Sequence, residues 1–185
     1  RTPPGSILEN AGTDFKNVVA FQSLSKRSNL PGLRVGFVAG DRTFIRRFHE
    51  WRNVAAPQVP MPLQHVAIAA YQDEAHVDEN RRLYGLKFDH ADTILGTRFG
   101  YRRPAGGFCA WLDVSAHGGD EQAAIRLFRD GGVRVLPGSY LARSGVDGTN
   151  PGAGYIRLAL VQPADVTEEA LKRMVAVLND HEPRG

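Results

Sequence analysis

Two short apolar runs bracket one polar stretch between Asn17 and Asp41: "NVVAF", then "QSLSKRSNLPGL", then "RVGFVAGD". Both runs have the β-branched and aromatic make-up of strands, and Gly40 with Asp41 closes the second. The link is too short for a helical crossover, so the pattern predicts neighbouring antiparallel strands with Lys26 at a strand end. From Arg42 the spacing lengthens. In "RTFIRRFHEW", Phe44, Ile45, Phe48 and Trp51 recur at intervals of three and four and define one face of a helix. Pro57, Pro60 and Pro62 in "AAPQVPMP" exclude regular helix and predict an extended loop. Helical spacing resumes in "LQHVAIAAYQ" and over about residues 75–95, with Leu83, Leu86, Ile94 and Leu95 as apolar candidates. A helix of that length can link two lobes.

After Gly100 the character changes. "GGFCAWLDV" reads as a strand, "EQAAIRLFRDGG" as a short amphipathic helix ended by glycines, "VRVL" and "GYIRLALV" as further strands. A final helix follows, with Asp165 and Glu168 placed as a capping box and Leu171, Met174, Val175 and Leu178 on one face. This order predicts a small α+β lobe. In "GYIRLALV" the period of two puts Ile156, Leu158 and Leu160 on the apolar face and Tyr155, Arg157 and Ala159 on the other.

Composition narrows the class. The chain has 185 residues, 42% hydrophobic and 23% charged, enough for one sizeable core or two small lobes. No apolar run reaches the roughly 20 residues that cross a bilayer, and "RTPPGSILEN" lacks the order of a signal peptide, so the cytoplasm is the expected compartment. A single cysteine, Cys109, rules out an internal disulfide and a cysteine metal cage, and is expected to be a packed core thiol. The net charge of +3 would permit nucleic acid, but the basic pairs Arg46–Arg47, Arg81–Arg82 and Arg102–Arg103 lie far apart among acids. They read as solvated faces. The histidines show no metal-ligand spacing, and His49, His65, His76 and His90 sit in helical sequence.

The chemistry gathers around Lys26. The chain uses arginine for nearly all its positive charge, and Lys16, Lys26, Lys87 and Lys172 are its only lysines. By residue type alone a loop lysine is a surface charge. Its neighbours are suited to more: Ser23 and Ser25 offer hydroxyls and Arg34 a guanidinium fork, a set that matches a phosphate. A lysine beside an anchored phosphate ester can form a Schiff base with an aldehyde on the same ligand. Gly32 and Gly36 are expected to let the backbone approach that ligand closely. By the same standard Arg157 reads as an arginine on a sheet surface.

The full stretch "SLSKRSNLPGLRVG" resembles the pyridoxal-phosphate attachment signature of class I and II aminotransferases: small, apolar, small, lysine, then a glycine two places before an arginine, then apolar and glycine. Beyond the loop, the order of helices, interdomain helix and small α+β domain is similar to that family too. The resemblance implies an α/β fold, the C-terminal part of a fold type I pyridoxal-phosphate transferase: the end of the large-domain sheet with the interdomain helix over 1–88, and a small α+β domain over 89–185. It implies Lys26 as the residue bonded to the aldehyde of pyridoxal 5'-phosphate and as the proton-transfer base, with Ser23, Ser25 and Arg34 on the phosphate. It implies Arg157 on the substrate α-carboxylate; "PAGGFCAWL" and "VLPGSYL", with Phe108 and Tyr140, resemble segments lining the cleft.

The family's ring-nitrogen aspartate and its companion tyrosine lie upstream of the lysine segment and have no match here, so the chain is expected to be the C-terminal half of an aminotransferase and inactive by itself. The wording around Lys26 is most similar to N-succinyl-LL-diaminopimelate aminotransferases of lysine biosynthesis, with glutamate and 2-oxoglutarate as the amino-acid and 2-oxo-acid pair. A lyase of the same fold and a catalytically silent structural fragment are the alternatives. The family also implies a homodimer, with "AAPQVPMP" similar to the segment that reaches the neighbour's cofactor.

Overall fold

Pairing of the two apolar runs organises the first of two compact units, Arg1–Arg81, and the second comprises Arg82–Gly185. The computed structural model describes residues 5–55 and 58–179. Strand β1 (Val19–Ser23) lies antiparallel to β2 (Gly36–Gly40), in register from Val19 opposite Gly40 to Ser23 opposite Gly36. Two glycines permit this approach. A Cβ at Gly36 would stand 2.3 Å from the Gln22 carbonyl oxygen, and one at Gly40, whose φ is +141°, 2.0 Å from that of Val18. The space at Gly36 is therefore filled by β1 rather than by a ligand. At Gly32 a Cβ would meet nothing within 4 Å, so close approach explains nothing there.

Lys26 does not end a strand. It sits in a one-turn helix, α1 (Leu24–Arg27), which Ser23 caps by accepting the Ser25 amide on its hydroxyl. Leu24 is wholly buried and, with Val35 and Ala67, forms the small core of this unit, packed by Leu63, Ala70 and Tyr71 among others. Helix α2 (Arg42–Ala55) has no buried residue, and its predicted apolar face remains open: Phe44 is 40% and Trp51 59% exposed. Helix α3 (Met61–Gln72) begins sooner than the prolines predicted. Pro62 falls in its first turn, where an amide has no intrahelical acceptor to lose; Pro57 lies outside the described residues.

Helix α4 (Ala75–Leu95) crosses the division between the units. Its buried positions are Val77, Lys87, Phe88, Ala91 and Leu95; of the predicted apolar candidates Leu95 is buried and Ile94 packs against the core, whereas Leu83 and Leu86 are exposed. In the second unit, β3 (Cys109–Asp113), β4 (Leu136–Pro137) and β5 (Tyr155–Ala159) form an antiparallel sheet in the order β3-β5-β4. Ala110 and Leu112 from β3, and Ile156 and Leu158 from β5, face a core completed by α5 (Gly119–Gly131) and α6 (Ala164–Asn179). Gly132, in the left-handed conformation, ends α5. Leu171, Met174 and Leu178 are buried as the spacing required, but the predicted capping box does not form: Asp165 lies inside α6, and Glu168 pairs with Lys172 at 2.7 Å. Cys109 is half-buried rather than a core thiol. No helix among the described residues is long and apolar enough to cross a membrane.

Candidate active site

The β1–β2 pairing brings together the two ends of the Lys26 connection. Ser23 faces Gly36 across the ladder, and the Leu24 amide donates to the Val35 carbonyl at 3.2 Å, so the turn bearing Lys26 lies against the residue that follows Arg34. The hydroxyls of Ser23 and Ser25 are 2.9 Å apart. Arg34 adopts a left-handed backbone, with φ 55° and ψ 36°, and donates through Nη1 to the Pro31 carbonyl at 2.9 Å. That conformation is uncommon for a residue with a side chain and marks a position held by its surroundings. Ser23, Lys26 and Arg34 are exposed and Ser25 is half-buried. Two hydroxyls and two cations on one accessible connection form a donor set that fits a phosphate monoester carrying an aldehyde.

In the second unit Arg157 occupies the face of β5 opposite the core, as its period predicted. It is directly opposite Trp111 on β3 and Leu136 on β4. Its Nε is buried and has no hydrogen-bond partner among the described residues. A buried guanidinium nitrogen without an acceptor is costly, and a carboxylate would relieve it.

Some residues that shape these sites gave no signal in the sequence. Asp120, which had no role by pattern, is buried and accepts the amides of Ser139 at 2.8 Å and Gly154 at 3.3 Å, tying the two ends of the β4–β5 connection. Asn150 fastens the same connection by donating to the Ser139 carbonyl and accepting the Gly152 amide, both at 2.9 Å. Arg103, expected in solvent, has a side chain only 17% exposed and pairs with Asp89 and with Asp92. Its partners sit one turn apart on α4, a spacing visible only once the helix is known. Phe108 packs on Tyr84, with ring centres 5.8 Å apart, and Tyr140 is exposed.

The mixed helix–sheet architecture matches part of a fold type I pyridoxal-phosphate enzyme, as its superposition on aminotransferase structures shows. The chain belongs to the family Aminotransferase class I and II, whose model matches residues 5–178. Pyridoxal 5'-phosphate is the cofactor of that family. Among relatives, it is 32% identical over 174 residues to the 4-dedimethylamino-4-oxo-anhydrotetracycline transaminase OxyQ of Streptomyces rimosus, covering 92% of this chain and 46% of that protein. Among solved structures, an aminotransferase from Neisseria meningitidis superimposes with a TM-score of 0.86 at 39% identity, covering 95% of this chain and 45% of its own. A probable N-succinyldiaminopimelate aminotransferase from Thermus thermophilus gives 0.78 at 26% identity, covering 90% and 43%. The chain thus spans less than half the length of these relatives.

Proposed function

We propose that the polypeptide to which these residues belong is an aminotransferase that moves an amino group between an amino acid and a 2-oxo acid. The observation that supports this reading is the β1–β2 pairing, which puts the paired Ser23 and Ser25 hydroxyls, the turn bearing Lys26 and Arg34 on one connection closed by the Leu24–Val35 hydrogen bond. In it, the two hydroxyls and the guanidinium would hold the cofactor phosphate, and Lys26 Nζ would be the amine that takes up its aldehyde. The bound cofactor supplies an electron-withdrawing ring that accommodates the electron pair left at the substrate α-carbon. Lys26 Nζ takes the proton from that carbon and returns one. Arg157 pairs with the α-carboxylate through two parallel N–H donors, which orients the bond to be broken.

The substrate in this reading is N-succinyl-LL-diaminopimelate with 2-oxoglutarate, for which the likeness to the Thermus protein is the support. The higher identity to OxyQ favours a second reading, a bulky cyclic ketone as the amino acceptor. Turnover belongs to the whole polypeptide, acting as a homodimer, because the carboxylate that keeps the cofactor ring protonated is not among the residues assigned here. Separated from that group, the 185 residues are expected to be catalytically silent.

The test is capture of the cofactor. Pyridoxal phosphate followed by borohydride is expected to label the peptide containing Lys26 in the whole protein, and to leave no label there in Lys26→Ala. An unlabelled Lys26 would overturn the proposal. Profiling of amino acceptors then separates the two substrate readings.

A further inference from the structure

Arg27, the residue after the candidate cofactor lysine, is built into the protein while Lys26 is exposed. Its side chain is only 19% exposed. Nη1 donates to the Ala70 carbonyl at 2.8 Å and to the Ser28 hydroxyl at 3.2 Å, Nη2 to the Glu74 carboxylate, and Cζ lies 5.3 Å from the centre of the Tyr71 ring. A lone amine could not serve these partners from one position; a planar fork can. Glu74 is also where α4 starts, since its carbonyl accepts the amides of Val77 and Asp78, each at 3.0 Å. Two residues beyond Arg27, Asn29 donates to Asn80 at 3.0 Å, in the second turn of α4.

The short segment Leu24–Asn29 is therefore fastened to the beginning of α4 at two points. A third fastening, the Leu24 amide on Val35, holds it to the Arg34 side of the site. The Arg27–Glu74 pair is not a free surface ion pair, which would be worth little. Glu74 is 64% exposed, but the carbonyl of Ala70 and the Tyr71 ring meet the same guanidinium from within the fold.

We propose that Arg27 and Asn29 are positioning residues that tie Lys26 to α4, so that occupation of the lysine and order in the first two turns of α4 change together. The proposal rests on the reading of Lys26 as the cofactor lysine. Coupling between two places is reciprocal, so an effect at one end is readable at the other.

The experiment measures amide hydrogen exchange in the whole protein before and after pyridoxal phosphate is reduced onto Lys26. Capture is expected to slow exchange at Val77 and Asp78 by at least about fivefold, the lower end of ordinary coupling between sites. Arg27→Met is expected to abolish that slowing and to speed exchange of the Ser28 amide without the cofactor, leaving the β1–β2 amides unchanged. Arg27→Lys, which keeps the charge but not the fork, is expected to fall between, and Asn29→Ala to weaken the effect. Label on Lys26 with no change at Val77 and Asp78 overturns the coupling alone. Absence of label in the unaltered protein overturns both this proposal and the functional reading. Equal acceleration throughout residues 18–80 in Arg27→Met shows general destabilisation, and likewise overturns it.

Discussion

At Asp120 a carboxylate keeps its charge inside the protein. Burial pushes its pKa up, but the Ser139 hydroxyl and amide and the Gly154 amide outweigh that cost and hold it below the ordinary carboxylate value. Asp120→Asn keeps the shape but turns an N–H toward those donors, and is expected to destabilise the second unit by about 1–3 kcal/mol in urea titrations. The sign of the pH dependence follows from the lowered pKa. The stabilisation is complete above the unfolded value near 3.9 and is lost as pH falls through the lower folded value. The gap in urea midpoint between the two proteins should therefore hold at neutral pH and narrow only below about pH 4; a gap that is constant into strong acid would refute the assignment. Arg157 is the second test at this scale. Arg157→Lys loses the parallel pair of donors, so the KM of the whole enzyme for its amino acid should rise by about 10-fold or more, as loss of a charged hydrogen bond predicts. An unchanged KM would remove Arg157 from the carboxylate site. Both residues show how unevenly a site can be read from sequence. The period of two gave the facing of Arg157. Asp120 acts through main-chain amides 19 and 34 residues away, and no spacing reports such partners.

The elements place the glycines in two different classes although the signature contains both. Gly36→Ala drives a methyl to 2.3 Å from the Gln22 oxygen, so β1 and β2 must separate and Ser23 must lose its register opposite residue 36. The expected cost is about 1–3 kcal/mol, as for overpacking, together with lost cofactor capture at Lys26. Gly32→Ala meets open space and should stay within about 0.5 kcal/mol of the parent by the same titration. Equal effects of the two would refute this account of the turn. The strand pair itself was legible because a short link between two apolar runs leaves no other pairing. The helix in α1 was not, since four residues carry no period and its cap is a serine contacting an amide two residues on. "VRVL" failed for another reason. Val133 and Val135 are buried as in a strand, but only Leu136 and Pro137 pair with β5, and proline has no N–H to extend the ladder.

The two units differ in how much apolar surface they bury by themselves. In residues 82–179 the core runs continuously from Phe88 to Leu178, through the sheet and both flanking helices, whereas among the described residues of the first unit the core cluster consists of Leu24, Val35 and Ala67. Around β1 and α2, Phe21, Phe44, Phe48 and Trp51 touch ring to ring at 5.9–6.4 Å, yet Phe21 is 65% and Trp51 59% exposed. Aromatic contacts in a row left so open return little of their burial energy, and a two-stranded sheet is marginal by itself. The first unit should thus be the weaker in this chain, and the sequence supplies its own reporters, because one of the two tryptophans lies in each unit. Trp51→Phe leaves Trp111 to report on the second unit, and Trp111→Phe leaves Trp51 to report on the first. Both side chains are about half exposed, so neither substitution empties a core. In urea, the fluorescence of Trp51 is expected to change at a lower concentration than that of Trp111, giving two transitions where a two-state protein gives one. Coincident midpoints would show that the units unfold together, and that α4 carries enough cooperativity across residues 81 and 82 to override the difference in their cores.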